Sequence, residues 1–338
     1  MSNLEKTMAS GNEFIVDDSN NPIGQYISFV KEIYELEIKK AEEKAKEKAK
    51  ETNVIPKTKH LFFRGQADVS WSLTPKVLRE KNYNEKELVL DFYHYGPLHS
   101  FNYDLDNDRL SLLTDMQHYE VPTRLLDWSL SPLSSLYFAV ESPRDKINKK
   151  KEIIKKIDIN HKIGCLGIDI KIGKIKVINS EKNAVVYALN PWVFNNQVLN
   201  NNYKGYNSHP KIQDSYLLAR ALLSTYKDFA YIKKFVYDKY GFRIIRKDIQ
   251  EPFALVSNFT NSRMQHQRGV FTIHGIDKVD LRNEDYFKDN AYKIIIRADV
   301  KHKIYDQLNW LYINEYTQYP DIKGIKEIVR NRQGFFNI

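Results

Sequence analysis

The stretch from Gln117 to Trp128 (QHYEVPTRLLDW) sets the tightest limit on how this chain can fold. Besides Trp128, seven of its residues carry hydrogen-bonding side chains (Gln117, His118, Tyr119, Glu120, Thr123, Arg124 and Asp127), yet Leu125, Leu126 and Trp128 pull the same stretch inside. Buried arginine, aspartate and histidine are expensive unless paired or engaged by a ligand. The segment is therefore either a structural ion-pair keystone or the wall of a polar pocket.

At 338 residues, with 42% hydrophobic and 28% charged side chains, the chain can bury a substantial core as a globular body. Its single cysteine, Cys165, rules out a disulfide framework and a zinc site built on several thiolates, and no metal is expected. No apolar run reaches the roughly 18–20 residues that cross a bilayer. Met1 to Asn12 has no signal-peptide core, so no membrane contact and a cytoplasmic location are expected. The net charge is +9, and part of it is concentrated. Lys146 to Lys162 holds seven lysines, among them Lys149, Lys150, Lys151, Lys155 and Lys156, against Glu152 and Asp158. Such a run is either a solvated, self-repelling loop or a contact for nucleic acid.

Residues 1–22 read as a polar lead-in, and Gln25 to Thr52 as a helix. The face of that helix carries Val30, Ile33, Tyr34 and Ile38, continued by alanines at four-residue steps. This seam can pack on the body of the protein or on a second copy. Leu61 to Gly65 reads as a buried strand, Glu85 to Phe101 and Asp104 to Tyr119 as helices, and Pro132 as the first residue of a helix capped by Ser131. The second half is richer in strands: Cys165 to Ile170, Lys174 to Ile178, Ala184 to Leu189, Phe253 to Val256, Gly269 to His274 and Ala291 to Ile296. Arg220 to Tyr226 is weakly helical, and Lys301 to Arg330 is helical with a break at Tyr319-Pro320. Strands and helices do not alternate regularly, and no glycine-rich phosphate loop is present. The fold class expected is α+β, a mixed or antiparallel central sheet with flanking helices. Two units are expected, 1–55 as lead-in and charged helix, and 56–335 as a catalytic or binding domain with a lysine-rich insertion near 144–162.

Three pieces line up: Phe63-Arg64-Gly65-Gln66; Gln117 to Trp128 with Ser131-Pro132 and Phe138-Ala139; and Gln265 to Thr272. Together with Trp310 to Gly324 they resemble the FRG domain family over roughly residues 55–335. Glu120 departs from that pattern, which more usually has glycine there. The order of the pieces also bears a distant resemblance to ADP-ribosyltransferases. That resemblance implies a split central sheet, an arginine at a strand end, a Ser/Thr-bearing strand running into a helix, and a last strand carrying the acid, where this chain has Gln267. It further implies NAD as substrate, transfer of ADP-ribose to a nucleic-acid or protein acceptor, and a role as a toxin or phage-defence effector.

Arg64 can grip a pyrophosphate with two parallel hydrogen bonds, and Gly65 can admit a ligand close to the backbone. Thr123 and Arg124 complete the expected cofactor-binding set. Gln267, Asp127 and His118 are the expected catalytic set: Gln267 for a ribose hydroxyl, Asp127, with Glu120 as the alternative carboxylate, for the oxocarbenium-like transition state, and His118 for the ribose or the nicotinamide amide. Structural readings stand beside these. Arg64 or Arg124 can pair with Asp127, His118 can be a satisfied core histidine, Thr123 a turn residue and Trp128 core. The alternative function is a non-catalytic module that binds nucleic acid or a nucleotide.

Overall fold

The computed structural model describes residues 12–48, 60–80, 83–104, 108–141, 182–202, 252–256, 261–275 and 278–320. The lysine-rich run and the expected elements at Cys165 to Ile170, Lys174 to Ile178 and Arg220 to Tyr226 lie outside these residues, as does Lys301 to Arg330 beyond Pro320. The described strands are β1 (Glu13–Val16), β2 (Phe62–Gln66), β3 (Leu125–Ser129), β4 (Ala184–Leu189), β5 (Phe253–Leu255), β6 (Gly269–Ile273) and β7 (Ala291–Ile296). They form one sheet in the order β1-β7-β4-β2-β3-β6-β5. β1 runs parallel to β7 and every other neighbouring pair is antiparallel, so the fold is α+β on a mixed sheet.

Side-chain alternation along the strands divides the apolar residues between two faces. One face carries Phe62, Trp128, Val185, Tyr187 and Val270. α4 (Arg109–His118), α6 (Pro191–Asn202) and α8 (Asp285–Lys288) add Met116, Phe194 and Phe287 to the same core. The other carries Phe63, Val186, Ala188, Ile294 and Ile296. It is covered by α1 (Pro22–Lys48), α5 (Pro132–Val140) and α9 (Lys301–Trp310) through Ile33, Tyr137 and Leu308. β4 is buried at every residue, as a central strand covered on both sides must be.

The amino-terminal segment belongs to this body. Phe14 and Val16 of β1 are buried, so the expected polar lead-in contains an edge strand. The Gln25 Oε1 accepts the amides of Asp17 (2.9 Å) and Asp18 (2.8 Å), fastening that strand to α1. The first turns of α1 then pack Tyr26, Phe29 and Ile33 into the second core, and the Tyr26 hydroxyl donates to the Pro132 carbonyl at 2.8 Å. Residue 55 is therefore not a boundary in the packing, and this part of the helix seam is taken by the body of the protein.

Two features of the sheet position the site. α5 starts as its sequence dictates, with Pro132 in its first turn and the Ser131 Oγ accepting the Ser134 amide at 3.2 Å. It then lies directly on β2. A Cβ built on Gly65 would meet the Ser135 carbonyl oxygen at 1.8 Å and the Ala139 nitrogen at 2.8 Å. Gly65 thus admits a helix, and the close approach of a ligand expected from the sequence gives way to that packing. The second feature is the seam between the sheet's halves. β2 pairs with β4 along its whole length and β3 does the same with β6, but β2 and β3 meet only at Phe63 and Ser129. Past that bridge the two strands part.

Gly65→Ala is expected to cost about 3 kcal/mol or more, because the obstruction is backbone and cannot swing aside. Gly269→Ala, whose nearest contact would be an ordinary 3.7 Å, is expected to cost less than about 1 kcal/mol. Urea denaturation of the two variants checks the contrast.

Candidate functional site

The polar segment is ordered from its first residue. α4 ends at His118, Glu120 donates its amide to the Gln117 carbonyl at 3.1 Å, and Val121 donates to Met116 at 2.9 Å. This is the helix stop that needs one left-handed residue. Glu120 supplies it with φ 63°, which gives a physical reason for glycine at this position. The Lys76 Nζ donates to the Glu120 carbonyl and the Val77 amide to that of Thr123, so α2 (Lys76–Arg79) braces the turn.

From the turn the chain enters β3, and its polar groups find partners within the segment. The Leu125 amide donates to the Thr123 Oγ1 at 3.1 Å. The Thr123 hydroxyl donates to the Gln117 Oε1 at 2.6 Å, and the Gln117 Nε2 donates to the Asp127 Oδ2 at 2.8 Å. Thr123 is fully buried, whereas Asp127 is the one exposed residue of β3. Arg124 turns the other way. Its amide and its Nε contact Glu85 of α3 (Glu85–Tyr95) at 3.0 and 2.7 Å, and its Nη2 also bonds the same carboxylate. This forked, buried ion pair is a keystone. Breaking such a pair by removing one partner typically costs about 3–5 kcal/mol. Thr123 and Arg124, expected to hold a cofactor, are thus committed to the fold. Arg124 takes Glu85 as its carboxylate, not Asp127.

Arg64 occupies the place where β2 and β3 part. Its Nη1 donates to the main-chain oxygen of Asp127 at 2.5 Å, standing in for the ladder bond that β2 no longer makes. Among the described residues Arg64 makes no ion pair, and its buried Nε has no hydrogen-bond partner. Burial lowers the guanidinium to about 10; the Asp127 charge opposes that shift and the exposed Arg79 adds to it. Tyr187 faces Arg64 across the β2–β4 register. On the same side lies a second buried chain, in which the Trp128 Nε1 donates to the Thr272 Oγ1 and that hydroxyl meets the His274 Nε2, both at 3.1 Å. His274 is fully buried and its Nδ1 has no hydrogen-bond partner among the described residues. Burial, reinforced by Arg64 and Arg124, pushes it down to about 3, so it is neutral. Trp128 is core, as its structural reading had it.

Gln267 is placed differently from the sequence reading. Residues Ser262–Gln267 form a short helix, α7, and Arg268 turns left-handed (φ 49°) before β6 begins at Gly269. The Asn261 side chain caps that helix through the Met264 amide at 2.9 Å, which no period-2 reading of the glutamines anticipates. The Gln267 Nε2 donates to the Gln318 carbonyl at 2.8 Å, and its own carbonyl accepts the Ser129 hydroxyl at 2.5 Å. Its amide thus ties α7 to α10 (Glu315–Gln318). His118 is half-buried against Tyr119, with ring centroids 4.8 Å apart, and its carbonyl accepts the Arg263 Nη1 at 3.3 Å.

The structure therefore brings Arg64 and Asp127 together at the seam and adds Gln117, His274 and Arg79 to the neighbourhood. Gln117 lay in the segment already singled out, and its position in the last turn of a helix was the available signal. Glu85 had none, being 39 residues from Arg124. The five lysines expected to bind nucleic acid lie outside the described residues.

Residues 59–148 match the family model of the FRG domain. The match takes in the Phe-Arg-Gly triplet and the Gln117 to Trp128 segment, and stops short of the Gln265 and Trp310 segments. No curated protein and no solved structure matches the chain. None of the described helices is long and apolar enough to cross a membrane.

Two outcomes are expected. Glu120→Gly should stabilise the protein by about 1 kcal/mol, read as a raised unfolding midpoint, because glycine adopts the left-handed turn without the Cβ penalty. His274 stays neutral when folded down to about pH 3, whereas the unfolded chain takes up a proton near pH 6.5. The unfolded state therefore binds more protons between these values. Stability falls with falling pH across that window, by up to about 1.4 kcal/mol per unit from this residue. Urea titrations of wild type and His274→Asn from pH 7 to 4 should show the variant's slope to be shallower.

Proposed function

We propose that the protein binds NAD at the β2–β3 seam, within the stretch that matches the FRG domain model, and transfers its ADP-ribose to a macromolecular acceptor. One observation carries this reading: Arg64, a guanidinium in the middle of an inner strand, has a single hydrogen bond, to the main-chain oxygen of Asp127, and no carboxylate partner among the described residues, while the Asp127 side chain is exposed. A half-buried cation left without an acid is suited to an anion from outside. The donor set fits a dinucleotide. Arg64, with Arg79 nearby, offers N–H groups to a pyrophosphate, and Asp127 offers an acceptor to a ribose.

In this reading the glycosidic C–N bond breaks and nicotinamide leaves with the electron pair. A nucleophile on the acceptor bonds to the ribose carbon, and its proton passes to solvent. Asp127 supplies the negative charge that stabilises the oxocarbenium-like transition state. Gln267 has no part in the chemistry, since its amide is committed to Gln318. That same commitment favours a second reading, a nucleotide-binding module without catalysis, because the place expected for an acid holds a structural amide.

Calorimetry with ADP-ribose and an assay for nicotinamide release separate the readings. Wild type should bind ADP-ribose, and Arg64→Ala should bind it at least about tenfold more weakly, the loss of a charge-assisted contact. Asp127→Asn should bind within a few-fold of wild type and release no nicotinamide. Binding without release in wild type would leave the module. No binding, or binding indifferent to Arg64, would sink both.

A further inference from the structure

The geometry points to Gln117 as a positioning residue that aims the Asp127 carboxylate, through a hydrogen-bond relay whose polarity is fixed at its inner end. This rests on the reading of Asp127 as the acid at the ribose, and it adds a residue and a mode of control to that site.

The relay runs Leu125 N–H, Thr123 hydroxyl, Gln117 amide, Asp127 carboxylate, with steps of 3.1, 2.6 and 2.8 Å. A main-chain amide can only donate, so the Thr123 oxygen accepts there and its hydrogen points outward. That hydrogen must meet an acceptor, which fixes the Gln117 amide with its oxygen towards Thr123 and its NH2 towards Asp127. A threonine buried at 0% exposure has no solvent with which to exchange this orientation. Asp127 therefore receives an N–H at Oδ2 and is offered no acceptor by the relay, so the relay fixes that oxygen as an acceptor. The remaining oxygen is left for a ligand.

Few charges compete for this control. From β2 the Arg64 guanidinium bonds the Asp127 main-chain oxygen. On α4 His118 follows Gln117, with Arg263 of α7 on its carbonyl. In β6 the register partner is the uncharged Phe271. A hydrogen bond kept only to fasten α4 to β3 would not require its acceptor to be the one exposed residue of a buried strand.

Two readouts test the proposal: the Asp127 carboxyl carbon followed by NMR through a pH titration, and the pH profile of nicotinamide release. Gln117→Glu keeps an acceptor for Thr123 but sets a second carboxylate against Asp127, so the pair shares a proton. The Asp127 midpoint is expected to rise by about one pH unit or more, with the acid limb of the profile moving alongside it. Thr123→Val frees the amide and should shift the midpoint the same way by less, lowering kcat with little change in KM, while Thr123→Ser restores both. Should Gln117→Glu fold poorly, the Thr123 pair decides the matter. A midpoint unmoved in every folded variant overturns the relay, whatever the activity. Asp127→Asn keeps the two failures apart. If it leaves nicotinamide release intact, the acid at the ribose is wrong. If it abolishes release while Gln117 and Thr123 variants keep wild-type profiles, only the relay is.

Discussion

The backbone of β2 at Gly65 touches the backbone of α5 with no room for a methyl group between them. Much of the site follows from that contact. α5 leaves β3 after a turn of two residues, so docking it on β2 draws the end of β3 towards Phe63. The docked helix is held from three sides: by the Ser131 cap, by the Tyr26 hydroxyl on the Pro132 carbonyl, and by Leu136 and Tyr137 in the second core. Ser129 is fixed in turn by its hydroxyl on the Gln267 carbonyl. β3 is thus anchored to β2 at one end, and beyond that anchor the ladder opens. The triplet Phe63-Arg64-Gly65 divides three tasks among three neighbouring residues: core on one face, a guanidinium at the opening, and a seat for a helix.

The other embedded charges show by contrast what is unusual about Arg64. Arg124 is paired with Glu85 through the Nε–Nη2 edge of its fork, with a further bond from its main-chain amide to the same carboxylate. Glu37, buried on α1, accepts the Tyr292 hydroxyl at 2.6 Å and the Asn190 amide at 2.5 Å, with Lys40 at 3.4 Å. Asp280 is gripped by Arg282 at 2.7 Å and receives the Leu73 amide at 3.0 Å. Each follows the rule that a charge taken from water must find a partner. Arg64 follows it only in part, with one carbonyl and an unsatisfied Nε. Leaving a buried donor unmade costs about 1–3 kcal/mol, a large fraction of a domain's net stability. At the strand seam the open donor belongs to a cation that has no carboxylate partner among the described residues, which sets Arg64 apart from Arg124.

Local patterns made most of the described scaffold legible in the sequence. Pro132 after Ser131 gave the start of α5, the β-branched runs gave β4 and β7, and the apolar spacing of Val30 and Ile33 gave the inward face of α1. The misreadings have equally specific causes. β1 is four residues long, too short for alternation to stand out from a polar terminus. Ser262–Gln267 is a single capped turn-and-a-half in which the Asn261 cap outweighs any strand-like alternation, so Gln267 changed element and lost its expected role. Gly65 was read as room for a ligand because a sequence does not reveal which neighbour will fill the space. The Arg124 partner was out of reach for the same reason, since a contact across 39 residues leaves no local mark.

Asp127 brings these threads together, because its two ends obey different rules. Its main chain is part of the interior, paired with Phe271 on one side and held by Arg64 on the other. Its side chain is exposed, although Leu126 and Trp128 on either side are buried. A strand optimised for stability alone would gain by placing an apolar residue there and closing its ladder against β2. The chain instead places an acid opposite the opening, spends Gln117 and Thr123 on its orientation, and meets its carbonyl with an arginine. Each of these choices is locally expensive, and they converge on the same few ångströms. Structural keystones such as Arg124–Glu85 are sealed, whereas this arrangement is open on one side, which is what the proposed binding of a phosphate-bearing ligand requires.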